Sequence, residues 1–278
     1  LPTVLATLMI IQVFFLGLMV FEANPFDTFR VNEPPINGRG LEPLLQNPAM
    51  TFHPPSILSG YVWFTFPFAF AVAALVHKRL DDTWIRTTRG YALISWAFLS
   101  IGNLFGGMWA YQELGWGGFW GWDPVENASL MPWFTATAYL HSVMIQERRD
   151  MLKVWNMALV MLTYFLTVFG TFLTRSGLID SVHTFAQSDV GDYFIAFLIT
   201  LTIISIGLIV WRVIDGSLKS KSDVQHLMSR EGVFLLNNIV LLACVFVVMF
   251  GTIGEKISAY FWQETKYTAP WFNTWMVP

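Results

Sequence analysis

The sequence predicts an all-α, polytopic transmembrane helix bundle, and composition and hydropathy pattern carry that prediction. Of the 278 residues, 55% are hydrophobic and only 13% are charged, which is far from the balance of soluble domains. The apolar residues also form runs close to the roughly 20 residues that a helix needs to cross a bilayer. Open sheet edges would leave backbone groups without partners in lipid, so all spans should be helical.

Seven runs have the length of a membrane span, and we expect one membrane domain over residues 1–278. Turn and N-cap residues at 123–129 predict that the fourth helix begins near Ser129, with Pro132 tolerated in its first turn. The seven runs cover residues 1–21, 57–76, 90–111, 129–146, 154–173, 193–211 and 232–254.

Basic residues are concentrated in alternate loops, which predicts the orientation of the bundle. Lys and Arg are frequent in the loops at 77–89, 147–153 and 212–231, whereas the loops at 22–56, 112–128 and 174–192 carry only Arg30, Arg39 and Arg175. By the positive-inside rule, the second set of loops faces outward. We therefore expect an integral membrane protein whose outer loops form one platform on the periplasmic or equivalent side; in a bacterial inner (cytoplasmic) membrane or a mitochondrial inner membrane, that is the side away from the cytoplasm or matrix.

Charge and cysteine content exclude other classes of protein. The formal net charge of −3 argues against nucleic-acid binding, which normally shows a basic stripe. The single cysteine, Cys244, lies in an apolar run, so we expect a buried spectator thiol and neither a disulfide framework nor a zinc site.

The loop at 112–128 is unusually rich in Trp and Gly. Within it, Trp116, Trp120 and Trp122 stand beside Gly117 and Gly118. Exposed Trp drives association, and Gly lets a backbone approach a bound object closely. The pattern leaves two interpretations open, which are a bound planar ligand and an aromatic belt at the membrane interface.

The five histidines separate by predicted position. His77 and His226 fall in basic inner loops, where we expect solvated side chains. His141 falls about twelve residues into the fourth span, where an ionisable group is a candidate cofactor ligand; a histidine hydrogen-bonded to a neighbouring helix is the alternative. His53 and His183 lie in outer loops on either side of the Trp-rich loop.

Together, His53 and His183 suit a six-coordinate haem. Neutral imidazoles can bind iron on both faces of the porphyrin while flat aromatic side chains lie along it. Arg175, or else Arg30 or Arg39, would pair with the propionates, because a planar guanidinium matches a carboxylate.

The Trp-rich loop and the start of the next helix resemble the WWD signature of the haem-handling membrane proteins of cytochrome c biogenesis, in the letters WGGFWGWDPVENAS at 116–129. FHPP at 52–55 and TRSGLIDSVHTFA at 174–186 flank this motif in the order of the CcmF branch. The resemblance implies a cytochrome c haem lyase, which takes haem from the haem chaperone CcmE and attaches it through thioether bonds to the CxxCH motif of apocytochrome c. CcmH/CcmI-type partners would present the apocytochrome.

The resemblance also implies residue roles. His53 and His183 would be the catalytic outer pair that ligates incoming haem. His141 would be one axial ligand of a second, resident b-type haem that reduces the first. The family's other membrane histidine, in a later helix, has no counterpart after His183, and we expect the chain to be the central portion of a longer family protein. The loop residues implied in haem binding are Trp116, Gly117, Gly118, Trp120, Trp122 and Asp123, with Arg175 beside them.

Other functions remain open. A haem exporter or haem-delivery protein of the same superfamily is disfavoured by the Asp123-Pro-Val-Glu-Asn continuation, whereas a lyase paralogue that serves one cytochrome, such as nitrite reductase, fits equally well. A non-haem membrane transporter is disfavoured because neither broken helices nor paired repeats are evident. A cofactor-free scaffold predicts no haem spectrum.

Overall fold

The computed structural model describes residues 1–24, 26, 37–38, 40–179, 181, 183, 190–220, 228–261, 263 and 265–277, and none of these residues lies in a strand. The predicted all-α fold is therefore confirmed. Short 3-10 turns at Pro43–Leu45 and Pro48–Thr51 precede the second helix. The helices are α1 (Pro2–Phe21), α2 (His53–Trp63), α3 (Thr65–His77), α4 (Thr83–Glu113), α5 (Pro124–Arg149), α6 (Lys153–Arg175), α7 (Gly191–Ile214), α8 (Arg230–Phe261) and α9 (Ala269–Met276).

Much of this helical structure is apolar enough to cross a membrane, as predicted. Within the described ranges, six helical stretches have the necessary length and composition: Pro2–Phe21, Pro48–His77, Thr83–Glu113, Lys153–Arg175, Gly191–Ile214 and Arg230–Phe261. The expected fourth span at 129–146 lies inside α5, which is not one of the six.

Helix α5 differs from an ordinary span because protein surrounds it. It packs against α4, α6 and α8, and a helix that faces other helices can carry polar residues where they find partners. Gln146, for example, accepts a 2.7 Å hydrogen bond from the Asn156 amide of α6. The polar side chains that α5 buries are Glu126, Asn127, Ser129, Thr135, Ser142 and Gln146.

Helix α5 begins at Pro124, so the start expected near Ser129 is wrong. Asp123 is the N-cap residue, and its carboxylate accepts a 3.0 Å hydrogen bond from the Val125 N–H. Glu126 completes a capping box by accepting from the Asp123 N–H at 3.2 Å. The loop before α5 is therefore shorter than the expected 112–128, since α4 ends at Glu113.

Pro132 accordingly lies in the interior of α5 and not in its first turn. Because proline has no N–H, it leaves the Ala128 carbonyl without its normal helical donor. The Tyr61 hydroxyl of α2 donates to that carbonyl at 3.3 Å. A Cβ at Gly170 of α6 would lie 2.6 Å from the same hydroxyl. Glycine at this position therefore leaves space for the hydrogen bond from Tyr61 to the Ala128 carbonyl.

The second expected span, 57–76, is interrupted at Phe64, which corrects the expectation of unbroken helices. Pro67 explains the interruption, because it cannot donate to the Trp63 carbonyl one turn earlier. The span consequently forms two helices, α2 and α3. Phe64 is fully buried between them, so the break is packed inside the bundle.

The two ends of the bundle differ in chemistry. At the end that carries most of the Lys and Arg residues, Arg212 of α7 donates to the carbonyls of Leu75 at 2.5 Å and Val76 at 2.8 Å, which caps α3. At the opposite end, α2 and α5 begin and α4 and α6 end. We call this the histidine end, because His53 and His183 lie there.

Candidate functional site

A cavity of about 370 Å³ opens at the histidine end, within the size range of small-molecule sites. Its wall combines the first turns of α2 and α5, the last turns of α4 and α6, and the Trp-rich loop. The lining residues are Met50, His53, Pro54, Ile57, Leu58, Tyr61, Asn103, Gly106, Gly107, Trp120, Val125, Glu126, Ser129, Thr171, Thr174, Arg175 and His183.

His53 is held in one orientation and one tautomer. Its Nδ1 lies 2.7 Å from the Gly102 carbonyl oxygen of α4, which only accepts hydrogen bonds, so Nδ1 carries the proton. Nε2 is therefore the nitrogen with the lone pair that can bind a metal. The ring packs on Gly106, where a Cβ would lie 2.6 Å from Cε1. Glycine at this position lets the imidazole approach α4.

His183 is fixed by a carboxylate. Its Nδ1 lies 2.9 Å from Asp123 Oδ2, so Nδ1 donates to the carboxylate and Nε2 is the nitrogen on the opposite side of the ring. The same Asp123 oxygen accepts from the Ser181 hydroxyl at 2.6 Å. The His183 ring and the buried Trp109 indole pack in an edge-to-face arrangement, with ring centroids 4.9 Å apart.

Asp123 thus has two structural tasks, which are to cap α5 and to orient His183. Burial by itself would raise the pKa of Asp123. The hydrogen bond and charge of His183, with the bonds from Ser181 and the Val125 N–H, outweigh burial and bring the pKa below its ordinary value. The carboxylate is therefore ionised at neutral pH, as a carboxylate that orients a metal-binding imidazole should be.

The two imidazoles are spaced as two ligands of one iron would be. Their ring centroids are 6.3 Å apart, with planes inclined at 58°. Two imidazoles on opposite sides of a metal, with metal–nitrogen bonds of about 2.0–2.1 Å, have centroids about 6.4 Å apart. The donor set and the centroid distance are therefore those of two imidazoles that can bind one metal.

Of the three Trp residues that the sequence predicted to bind the ligand, only one lines the cavity. Trp120 lines the wall. Trp116 packs over Gly121, where a Cβ would lie 2.4 Å from the Trp116 ring. Trp122 has a left-handed backbone, with φ of 58°, and its ring stacks on Phe272 of α9 at a centroid distance of 5.1 Å.

The predicted glycines also lie outside the cavity wall. Gly117 adopts a positive φ of 74°, and no heavy atom lies within 4 Å of a Cβ built at Gly117 or Gly118. The conformational freedom of Gly117 therefore serves the turn. Arg175, the last residue of α6, does line the cavity and is exposed, so it can reach a carboxylate at the rim. Arg30, Arg39 and His226 lie outside the described residues.

His141 occupies a separate pocket of about 470 Å³ between α5 and α8. The Asn237 amide nitrogen lies 3.1 Å from His141 Nδ1, so Nδ1 accepts a hydrogen bond and Nε2 carries the proton. No second histidine among the described residues lines this pocket. The residues present therefore do not complete a b-type haem site. His77, expected to be solvated, lies near the start of α1, with Nε2 2.6 Å from the Thr3 hydroxyl.

Two cavity residues, Glu126 and Asn103, are absent from the set expected from the sequence. Glu126 could have been found as the third residue after the N-cap in an Asp-Pro-Val-Glu capping box. Burial raises the pKa of Glu126 to about 7; this group lies at the start of α5, before the stretch expected to cross the membrane. Asn103 had only the weaker signal of a polar side chain within an apolar span.

These observations define a class of protein. It is an all-helical integral membrane protein in which two imidazoles that can bind a metal lie beside a largely apolar cavity. Comparison with known proteins narrows the class. The family model described as "Cytochrome C assembly protein" matches residues 1–179, and the chain belongs to that family.

Similar proteins share most of this chain. It is 46% identical over 273 residues to the cytochrome c-type biogenesis protein CycK of Bradyrhizobium diazoefficiens. This alignment covers 97% of the chain and 40% of CycK. It is 44% identical over 273 residues to the cytochrome c-type biogenesis protein CcmF of Escherichia coli. This alignment covers 98% of the chain and 42% of CcmF. A solved structure titled "Cytochrome c Heme Lyase CcmF" matches with a TM-score of 0.76 and 37% identity, over 99% of this chain and 39% of that one. The chain thus spans about two fifths of the length of these relatives.

Proposed function

We propose that this chain holds haem for its covalent attachment to apocytochrome c, as part of a cytochrome c haem lyase. The proposal rests on the pair His53 and His183. Each Nδ1 is hydrogen-bonded to an oxygen of the protein, and the two ring centroids are 6.3 Å apart. Both Nε2 atoms would bind the iron of the substrate haem. A redox-active iron held by two imidazoles is typical of haem-handling sites.

The remaining cavity residues would orient the porphyrin and exclude water. Ile57 and Leu58 of α2 and the indole of Trp120 offer apolar surface beside the imidazoles, and Arg175 would pair with a propionate at the rim. Cys244 does not line the cavity, so the reacting thiols belong to the CxxCH motif of the apocytochrome. The protein would supply position and environment, and the haem vinyl groups and thiols would supply the chemistry.

The location and partners follow from the same proposal. The histidine end would face the periplasm, opposite the basic end, in a bacterial inner membrane. Haem would arrive from the chaperone CcmE, and CcmH/CcmI-type proteins would present the apocytochrome at the mouth of the cavity. For the resident b-type haem, the described residues offer His141 alone, so we assign no step to it.

Cytochrome maturation in cells that lack the native gene tests this function. We expect His53→Ala and His183→Ala each to abolish holocytochrome c formation, whereas His77→Ala, a matched change at the basic end, should leave it intact. Membrane levels of each variant, measured by immunoblot, must equal those of the unsubstituted protein. Normal holocytochrome in both cavity variants would exclude the proposed ligand pair.

The same cells separate a lyase from a haem exporter. A lyase defect leaves haem bound to the chaperone and blocks only its transfer, so haem-loaded chaperone should accumulate in His53→Ala cells. An exporter defect would instead deplete haem from the chaperone.

A further inference from the structure

Three buried polar atoms of the cavity have no hydrogen-bond partner among the residues that the structure describes. They are Asn103 Nδ2, Trp120 Nε1 and Glu126 Oε1, and all three residues line the cavity. Glu126 is only 7% exposed. Buried polar atoms are nearly always hydrogen-bonded, so three exceptions on one wall point to a polar group of the ligand.

Hydrogen bonds through Ser129 and Gly121 connect the surroundings of these three residues. The Ser129 hydroxyl lies 2.5 Å from Asn103 Oδ1 and 2.8 Å from the Glu126 backbone oxygen. Glu126 Oε2 accepts a 3.0 Å hydrogen bond from the N–H of Gly121, the neighbour of Trp120. Glu126 is therefore bonded to the residue that follows Trp120 and is one hydroxyl group away from Asn103. Because Ser129 donates to the Asn103 oxygen, the atom of the Asn103 amide without a partner is the donor nitrogen, Nδ2.

We infer that Asn103 and Trp120, together with Glu126, form a subsite for a carboxylate of the bound ligand. The inference rests on the proposed function, in which the ligand is haem. The periphery of haem carries methyl, vinyl and propionate groups, and only the propionates accept strong hydrogen bonds. Two N–H donors on the cavity wall therefore select a propionate and reject a vinyl group.

Glu126 is compatible with a carboxylate beside it. The other charged or titratable groups that line the same cavity are His53 and Tyr61 of α2, Arg175 of α6 and His183. The pKa of Glu126, raised by burial to about 7, lets its carboxyl share a proton with the propionate near neutral pH.

The subsite is tested by measuring how strongly variants of the cavity bind two ligands that differ in their carboxylates. The probes are ferric haem and haem dimethyl ester, whose propionates are esterified, added to the detergent-solubilised chain. Trp120→Phe keeps an aromatic ring but removes the N–H, and Asn103→Leu keeps the size of the side chain but removes its donors. Each should weaken haem binding about tenfold, the usual effect of one hydrogen bond to a charged group. Each should change binding of the ester by less than about twofold.

Trp133→Phe is the matched control, because the Trp133 N–H donates to the Ser100 hydroxyl at 2.7 Å and does not line the cavity. It should not change the affinity for either probe. Equal weakening of both probes by the cavity variants, or no weakening at all, would overturn the subsite. Trp120→Phe decides the matter by itself if Asn103→Leu does not fold. If the unsubstituted chain binds no haem, the proposed function itself fails.

Discussion

Gly106→Ala should disable the cavity by moving one imidazole. A Cβ at this position would lie 2.6 Å from His53 Cε1 and 2.7 Å from Nδ1, whereas non-bonded carbon atoms normally keep about 3.5–4.0 Å. The His53 ring must therefore retreat by about 1 Å. Its 2.7 Å hydrogen bond to the Gly102 carbonyl would then stretch beyond the normal range.

A misplacement of about 1 Å can reduce the rate of a catalysed reaction by about 10²-fold, and we expect a loss of that order in holocytochrome yield. Haem titration of the purified variant should also show loss of the six-coordinate spectrum. Gly90→Ala is the control on the same helix, because nothing lies within 4 Å of a Cβ at that position. It should gain up to about 1 kcal/mol of helix stability and retain full function. A Gly106→Ala protein with a normal spectrum and normal yield would refute the placement of His53.

Three more predictions concern the surroundings of the cavity. Asp123→Asn keeps a good N-cap residue but removes the charge that orients His183, so haem affinity should fall about 10- to 100-fold with little change in thermal stability; a loss of stability alone would contradict this role. Trp122→Ala should cost about 1 kcal/mol or more through loss of the Phe272 stack yet keep the haem spectrum, and the reverse result would place Trp122 in the cavity. Burial raises the pKa of Glu126 from 4.5 to about 7, so the folded state holds this proton more tightly than the unfolded state, and stability should fall as pH rises from 4.5 through 7. Glu126→Gln should lack that component of the pH dependence of the melting temperature, and identical pH profiles would show that Glu126 is not perturbed.

The bundle and the convergence of the two histidines are visible in the sequence for a clear reason. Apolar runs of fixed length need to cross the bilayer, and alternating basic loops place alternate connections on one side. Residues as far apart in sequence as His53 and His183 are therefore predicted at one end. In the structure their rings lie 6.3 Å apart, although topology alone gives no such distance.

The individual loop contacts depend on details that the motif does not encode. The left-handed backbone at Trp122, with φ of 58°, is uncommon for a non-glycine residue, and it turns the indole towards Phe272, far away in the sequence. The start of helix α5 was predicted wrongly for a different reason. Asp123 and Ser129 are both good N-cap residues, but Asp123 is also followed by Pro at the first helical position and Glu at the third, which favours it. In the structure Asp123 is the cap.

The spectrum of bound haem tests the central claim most directly. The chain, purified in mild detergent and titrated with haem, should give a six-coordinate spectrum in both the oxidised and the reduced state. His53→Ala and His183→Ala should each lose one axial ligand and the six-coordinate signal, while His77→Ala retains it. A six-coordinate signal that survives in both cavity variants and disappears in His141→Ala would contradict the account, because haem would then be bound between α5 and α8 and not at the histidine end.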